Sequence, residues 1–246
     1  MSAILLLVAC FEVDPGPAGA VDSGAPADSG EAQVARLPVQ LAFPLVEREL
    51  FETVVGVDHD PVEQDGGVLG RATCLDYLGR SFPHCYDEHE GSDYILKGGF
   101  TQMDAGSATV VAAADGVVVA VEDGHYDRCH GDLSTGDVDC DGHDMVANSV
   151  ILEHQGSDGS TWRSLYWHLM KDSVAVVVGQ AVTGGQALGK VGSSGYSSMP
   201  HLHFELQRED AGPEPTVVDP YAGPYSQEGT GWCLQGDEDD LPGACG

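Results

Sequence analysis

A chain of 246 residues is long enough for one domain with a substantial core and short for two. Ten Lys plus Arg stand against forty Asp plus Glu, a formal charge of -30. Such a surface repels nucleic acid and anionic lipid headgroups, which excludes both as partners held by charge.

Val, Gly and Thr are abundant and no stretch of a dozen residues keeps a helical period, so the sequence predicts a mainly β fold, an antiparallel sheet or sandwich with few helices. The first apolar run, Ile4-Leu5-Leu6-Leu7-Val8-Ala9, is too short to span a bilayer and ends at Cys10. Leu7-Val8-Ala9-Cys10 resembles a bacterial lipobox, which implies export and a lipid anchor on Cys10, although Met1-Ser2-Ala3 lacks the positive charge of a signal segment. Residues 1–10 are therefore taken as a signal segment. Residues 11–35, rich in Pro, Gly, Ala, Asp and Ser, cannot bury a core and form a disordered linker.

Ordered structure is expected from Leu37-Pro38-Val39-Gln40-Leu41, with an early strand at Val54-Val55-Gly56-Val57, inside an N-terminal β/loop extension spanning 36–84. Thr109–Ala113 and Val117–Val121 flank Ala114-Asp115-Gly116 and predict a hairpin on an Asp-Gly turn. Ser149–His154 and Arg163–His168 predict a second hairpin across a polar loop. Short strands near 174–182 and 186–191 follow, and 233–246 form an acidic tail. Cys74 and Cys85, Cys129 and Cys140, and Cys233 and Cys245 each close a loop of about a dozen residues and predict three local disulfides, hence an oxidising compartment. The absence of Cys-x-x-Cys argues against zinc held by thiolates.

Met199-Pro200-His201-Leu202-His203-Phe204-Glu205-Leu206 alternates polar and apolar residues with the period of a half-buried strand. Leu202, Phe204 and Leu206 then face a core. His201, His203 and Glu205 share the other face, with the imidazoles about 7 Å apart along the strand. Upstream, His89-Glu90-Gly91-Ser92-Asp93 sets an imidazole and a carboxylate four residues apart, able to converge on one cation if the chain turns at Gly91. With His203 these make three protein ligands and leave a fourth position open, the arrangement of catalytic zinc.

Segments His89-x-Gly-x-Asp93, Val110–Val118, Tyr166-Trp167-His168-Leu169 and Gly192–Glu205 occur in the order found in lysostaphin-type zinc metallopeptidases, and the chain resembles that family over roughly residues 85 to 207. These are β-sheet endopeptidases that cut the peptide cross-links of bacterial peptidoglycan. The resemblance implies a metallopeptidase domain at 85–232, Zn2+ on His89, Asp93 and His203, and His201 and His168 as the catalytic pair. His201 is assigned as general base and His168 as oxyanion partner. Peptidoglycan peptides become the expected partner, and the cell envelope the expected location, as a lipoprotein or, alternatively, a secreted protein. The contrasting reading is a catalytically silent envelope lipoprotein that binds peptidoglycan or regulates a cell-wall amidase. All five site positions are present, which favours the enzyme.

Asp137-Val138-Asp139-Cys140-Asp141-Gly142 opens like a Ca2+ loop, although Asn148 stands at the twelfth position where a Glu is usual. His154 reads as a polar strand end, and His59, His84, His125, His130 and His143 as surface residues. Trp167 and Tyr166 read as core, and Glu205 as either a support for the histidine face or a surface carboxylate.

Overall fold

The period-2 pattern of the sequence is realised as a series of short strands. A computed structural model describes residues 35–62, 73–132, 135, 137–209, 215–237 and 240–245; Cys10, the segment before it and the linker as far as residue 34 lie outside them. The strands are β1 (Ala35–Leu41), β2 (Phe51–Val55), β3 (Ser92–Leu96), β4 (Thr109–Val111), β5 (Gly116–Glu122), β6 (His130–Gly131) and β7 (Val138–Asp139). They continue with β8 (Ser149–Gln155), β9 (Thr161–Trp167), β10 (Ala181–Val182), β11 (Ala187–Lys190), β12 (His201–Glu209), β13 (Thr216–Val217) and β14 (Gly229–Trp232). A short α-helix, α1 (Gly99–Asp104), comes after β3. The fold is mainly β and largely antiparallel, as the sequence predicts.

The principal sheet has the order β10-β5-β8-β9-β12-β3-β2, with β13 added along β12. Strand β12 is therefore paired on both sides, through His203↔Asp93 to β3 and through His203↔Trp167 to β9. Its inward residues Leu202, Phe204 and Leu206 are fully buried. Phe204 meets Tyr166 at 5.4 Å and Trp232 at 5.5 Å, and Phe43 meets Tyr94 edge-on at 4.9 Å. These contacts stack the parallel pair β1–β14 and the segment after β1 on the principal sheet. Burying one side chain of this size contributes about 1.5–3 kcal/mol, so the strand that carries the histidines is also a main source of stability.

The described residues of 36–84 pack with the strands that follow, since β2 is the edge of the principal sheet beside β3, and Leu41 accepts a backbone bond from Cys233. From residue 34 onward the chain forms one unit. All three predicted disulfides are present, Cys74–Cys85, Cys129–Cys140 and Cys233–Cys245.

The hairpin expected at 109–121 is not formed. Strand β4 pairs with β11, while β5 pairs with β8 and β10. Asp115 lies at the crossing between the two sheets, where its carboxylate accepts the Gly184 N–H at 2.8 Å and its carbonyl bonds His154 Nδ1 at 2.7 Å. The hairpin of β8 and β9 forms as predicted. The strand expected near 174–182 contracts to Ala181–Val182.

His154 is also not a polar strand end. It is 4% exposed, and its Nε2 meets Ser164 Oγ at 2.7 Å. Burial pushes the imidazole below its usual value of 6.5, against the opposing pull of the Asp115 carbonyl and the Asp115 and Glu153 charges. A neutral buried histidine contributes stability above about pH 6.5, and that contribution is lost as pH falls through the depressed native value, because the unfolded chain takes up the proton first. His154→Gln is expected to cost about 1–3 kcal/mol at pH 7.5. The difference in Tm between wild type and variant should narrow steadily from pH 7.5 to 4.5; a constant difference contradicts the assignment.

Candidate metal centre

Three elements bring together three groups that could hold a metal ion. His89 ends the loop after Cys85, Asp93 lies on β3 and His203 on β12, and the β3–β12 register sets the last two opposite each other. His89 Nε2, Asp93 Oδ1 and His203 Nδ1 form a triangle with sides of 3.1, 3.3 and 2.9 Å. All three residues are buried. A tetrahedral ion with bonds of about 2.0–2.2 Å has donor atoms about 3.3–3.5 Å apart, so this triangle fits zinc after a slight expansion.

The outer contacts orient the donors. His89 Nδ1 donates to the Gly56 carbonyl at 2.7 Å, leaving Nε2 bare toward the triangle. Glu205 is buried with Oε2 3.9 Å from His203 Nε2, and supports the ring from behind. Of the two readings of Glu205, the buttress is the one observed. Burial pushes the Asp93 carboxyl up, yet its neighbours His89 and His201 and the hydrogen bond from His203 hold it well below the usual carboxylate range. Burial lowers His203, and Asp93 and Glu205 outweigh it, raising the imidazole to about 9. Without metal, His203 and Asp93 thus form an ion pair, and a cation that binds displaces a proton.

Gly91 works differently from its expected role. It has no positive φ, and the turn does not depend on it. A Cβ at this position would lie 2.5 Å from His203 Cε1 and 2.9 Å from the Phe204 carbonyl, so glycine is required for space.

His201 and His168 stand beside the triangle. His201 Nδ1 donates to the Met199 carbonyl at 2.7 Å and its Nε2 lies 3.5 Å from Asp93 Oδ1. His168 follows β9 with φ +64°, a left-handed conformation that costs a β-carbon residue about 1–2 kcal/mol and turns the ring toward His201, 4.6 Å between centroids. Its Nδ1 donates to the Ser194 carbonyl at 2.6 Å. Both rings therefore present a bare Nε2. Burial, reinforced by His201 and His203, holds His168 well below 6.5, and burial lowers His201 despite Asp93. Both are neutral proton acceptors at neutral pH.

These groups line a groove of about 290 Å³ that includes Asp93, His168 and His201, with Tyr86, Tyr196 and Met199 on its walls. A larger cleft of about 890 Å³ holds only His89 of the five. Sequence reasoning missed Trp167, which is 37% exposed with its ring 5.8 Å from His203, and so belongs to the site and not the core. Tyr166 is core, as expected. Also missed was Tyr86, stacked on His89 at 4.2 Å, its hydroxyl pushed well above its usual value by burial and by the Asp93 charge. Adjacency to His168 and His89 was the only signal for either; the accepting carbonyls of Gly56, Met199 and Ser194 carry none.

The remaining histidines do not join this group. His59 bonds Asp219 at 2.8 Å, His125 lies near Glu122, and His143 stacks on Tyr126. His130 sits with Asp139 and Asp141 in an exposed cluster. The calcium-loop expectation is corrected: Asn148 is buried and its amide bonds the backbone carbonyls of His125 and Leu169, so the twelfth position is turned away from Asp137, Asp139 and Asp141.

The sequence profile of Peptidase family M23 matches residues 89–215, just over half of the chain. This protein belongs to peptidase family M23. Among M23 relatives, it is 30% identical over 118 residues to "Peptidoglycan DD-endopeptidase ShyA" of Vibrio cholerae, covering 48% of this chain and 20% of that protein. It is 36% identical over 64 residues to "Peptidoglycan DD-endopeptidase ShyB" of the same organism, covering 26% and 14%. The chain thus spans a fifth or less of the curated relatives it matches. Similar solved structures include a zinc containing peptidase from Vibrio cholerae, with 20% identity, TM-score 0.43, and coverage of 73% of this chain and 39% of that one. Another is the catalytic domain of lysostaphin from Staphylococcus simulans, with 26% identity, TM-score 0.35, and coverage of 58% and 82%.

Proposed function

We propose that this M23 protein is a zinc-dependent endopeptidase that hydrolyses peptide cross-links of bacterial peptidoglycan. The observation that carries the reading is the convergence of two imidazole nitrogens and one carboxylate oxygen beside two neutral histidines with bare Nε2 atoms. Zinc held there by His89, Asp93 and His203 would supply Lewis acidity for a peptide carbonyl and would lower the pKa of water.

The protein's own groups do the rest. His201 accepts the proton of the attacking water at Nε2; its Nδ1 proton is committed to Met199, so only one nitrogen is open. As the new C–O bond forms, His168 takes up a proton from solvent at its bare Nε2, donates to the developing oxyanion and returns that proton when the carbonyl re-forms. The proton then passes to the leaving nitrogen as the C–N bond breaks, giving a carboxylic acid and an amine, and the acid's proton passes to solvent or to that amine. Trp167, beside His203, limits water entry from that side. The names of the two Vibrio cholerae relatives support peptidoglycan as substrate and the cell envelope as location, and the lipobox-like Leu7–Cys10 segment supports a lipid anchor on Cys10.

The test is incubation of the purified protein with defined cross-linked muropeptides, with and without a chelator. Cleavage that the chelator stops and added Zn2+ restores is expected. Binding of the same muropeptides without cleavage in the zinc-loaded protein refutes the enzyme and leaves the binding role.

A further inference from the structure

The loop between β11 and β12 contains buried hydroxyls whose hydrogen bonds lead from the groove to a disulfide. Ser193 and Ser197 are 0% and 1% exposed. Ser193 Oγ donates to the Cys129 carbonyl at 2.6 Å, which uses its single hydrogen. Ser197 Oγ lies 2.8 Å from Ser193 Oγ, 3.0 Å from the Met199 carbonyl and 3.3 Å from His201 Nδ1. Since Ser193 has no second hydrogen, Ser197 gives its own hydrogen to Ser193 or the Met199 carbonyl, and because that carbonyl, 2.7 Å from His201 Nδ1, already requires the ring's hydrogen there, Ser197 turns a lone pair to His201. His201 Nδ1 therefore faces acceptors alone, Ser197 Oγ and the Met199 carbonyl. That fixes its proton on Nδ1 and leaves Nε2 bare.

The far end of this chain is held by the ribbon β6–β7, closed by Cys129–Cys140. Cys129 N–H donates to the Ser193 carbonyl at 2.9 Å, Ser193 N–H to Asp127 at 3.1 Å, and Gly131 N–H to Ser198 at 2.9 Å. A Cβ on Gly131 would come within 2.7 Å of Ser198 Cβ, so the ribbon lies directly against the loop. Ribbon strands of only two residues each have little cohesion of their own, and the disulfide is what keeps Cys129 in place.

We propose that Ser197 is a positioning residue for His201, set through Ser193 by the disulfide-closed ribbon. Its catalytic consequence rests on the endopeptidase reading, and its structural one on His201 alone. Removing the Ser197 hydroxyl leaves the Met199 carbonyl as the sole acceptor and widens the range over which the ring swings about that one bond, so the fraction of productive imidazole falls while substrate and metal contacts stay.

The test measures kcat and KM separately on a cross-linked muropeptide, with zinc content and Tm, for wild type, Ser197→Ala, Ser197→Thr and the double variant Cys129→Ala/Cys140→Ala. Ser197→Ala is expected to lower kcat about tenfold, the scale of one lost orienting hydrogen bond, with KM within about twofold and zinc unchanged. Ser197→Thr keeps the hydroxyl and should recover most of the loss; the double cysteine variant should lower kcat in the same way. Unchanged kcat in Ser197→Ala, a KM effect in its place, or a threonine variant as slow as the alanine overturns the proposal. Histidine 15N spectra of the zinc-loaded wild type supply a readout free of turnover. An Nδ1–H tautomer at His201 that becomes mixed in Ser197→Ala supports the positioning role even in a protein that cleaves nothing, where only the endopeptidase reading fails. An Nε2–H tautomer in wild type refutes it.

Discussion

His203→Ala is expected to lose both bound zinc and cleavage, whereas His201→Ala loses cleavage and keeps the metal. The contrast comes from atoms two positions apart on β12. His203 Nδ1 is one corner of the donor triangle, 2.9 Å from Asp93 and 3.1 Å from His89. Without it the ion retains two protein donors, and the Asp93 carboxylate loses its closest buried partner. His201 has its Nδ1 bonded to Met199 and only Nε2 directed to the site, so its loss removes a proton acceptor, a change of about 10²–10⁴ in kcat. Metal analysis after gel filtration, together with muropeptide turnover, checks both halves. Zinc retained by His203→Ala, or activity near wild type in His201→Ala, contradicts the assignment of roles.

Gly91→Ala should be almost as severe although it adds one methyl group. The new Cβ would sit 2.5 Å from His203 Cε1, 2.6 Å from its Nε2 and 2.9 Å from the Phe204 carbonyl. The carbonyl cannot yield, because Phe204 is opposite Ser92 in the ladder of β12 and β3. The ring must move instead, and it is confined by Asp93, Glu205 and Trp167. Zinc affinity is expected to fall at least 10–100-fold, the scale found when a ligand loses its orientation, and stability by about 1–3 kcal/mol from overpacking. Competition with a chromogenic chelator measures the first and thermal unfolding the second. A variant that binds zinc as wild type does would show that the ring has room this geometry denies it.

Much of this site was legible in the sequence because its chemistry coincides with a strong local period. His201, His203 and Glu205 alternate with Leu202, Phe204 and Leu206, and a strand admits only one division of such a segment into two faces. What failed was nonlocal. Ala114-Asp115-Gly116 has the composition of a hairpin turn, but Asp115 is claimed by Gly184 and His154 from distant strands, and those bonds carry the chain from one sheet to the other. His154 looked polar and terminal because nothing in its neighbourhood announces Ser164 as its partner. Tyr86 and Trp167 reach the site through ring contacts that no spacing rule describes.

The central placement of β12 would also govern how fast the proposed site exchanges a bound ion. A ligand on a surface loop can swing out and release a metal in a local fluctuation. His203 sits between β3 and β9, with backbone ladders on both sides and Phe204 at its shoulder. The backbone cannot carry the ring away, and rotation of the ring is confined by Asp93, Glu205 and Trp167, so a bound ion should dissociate more slowly than from a ligand on a surface loop. The acidic surface attracts cations to the mouth of the groove, and the strand decides how long one stays.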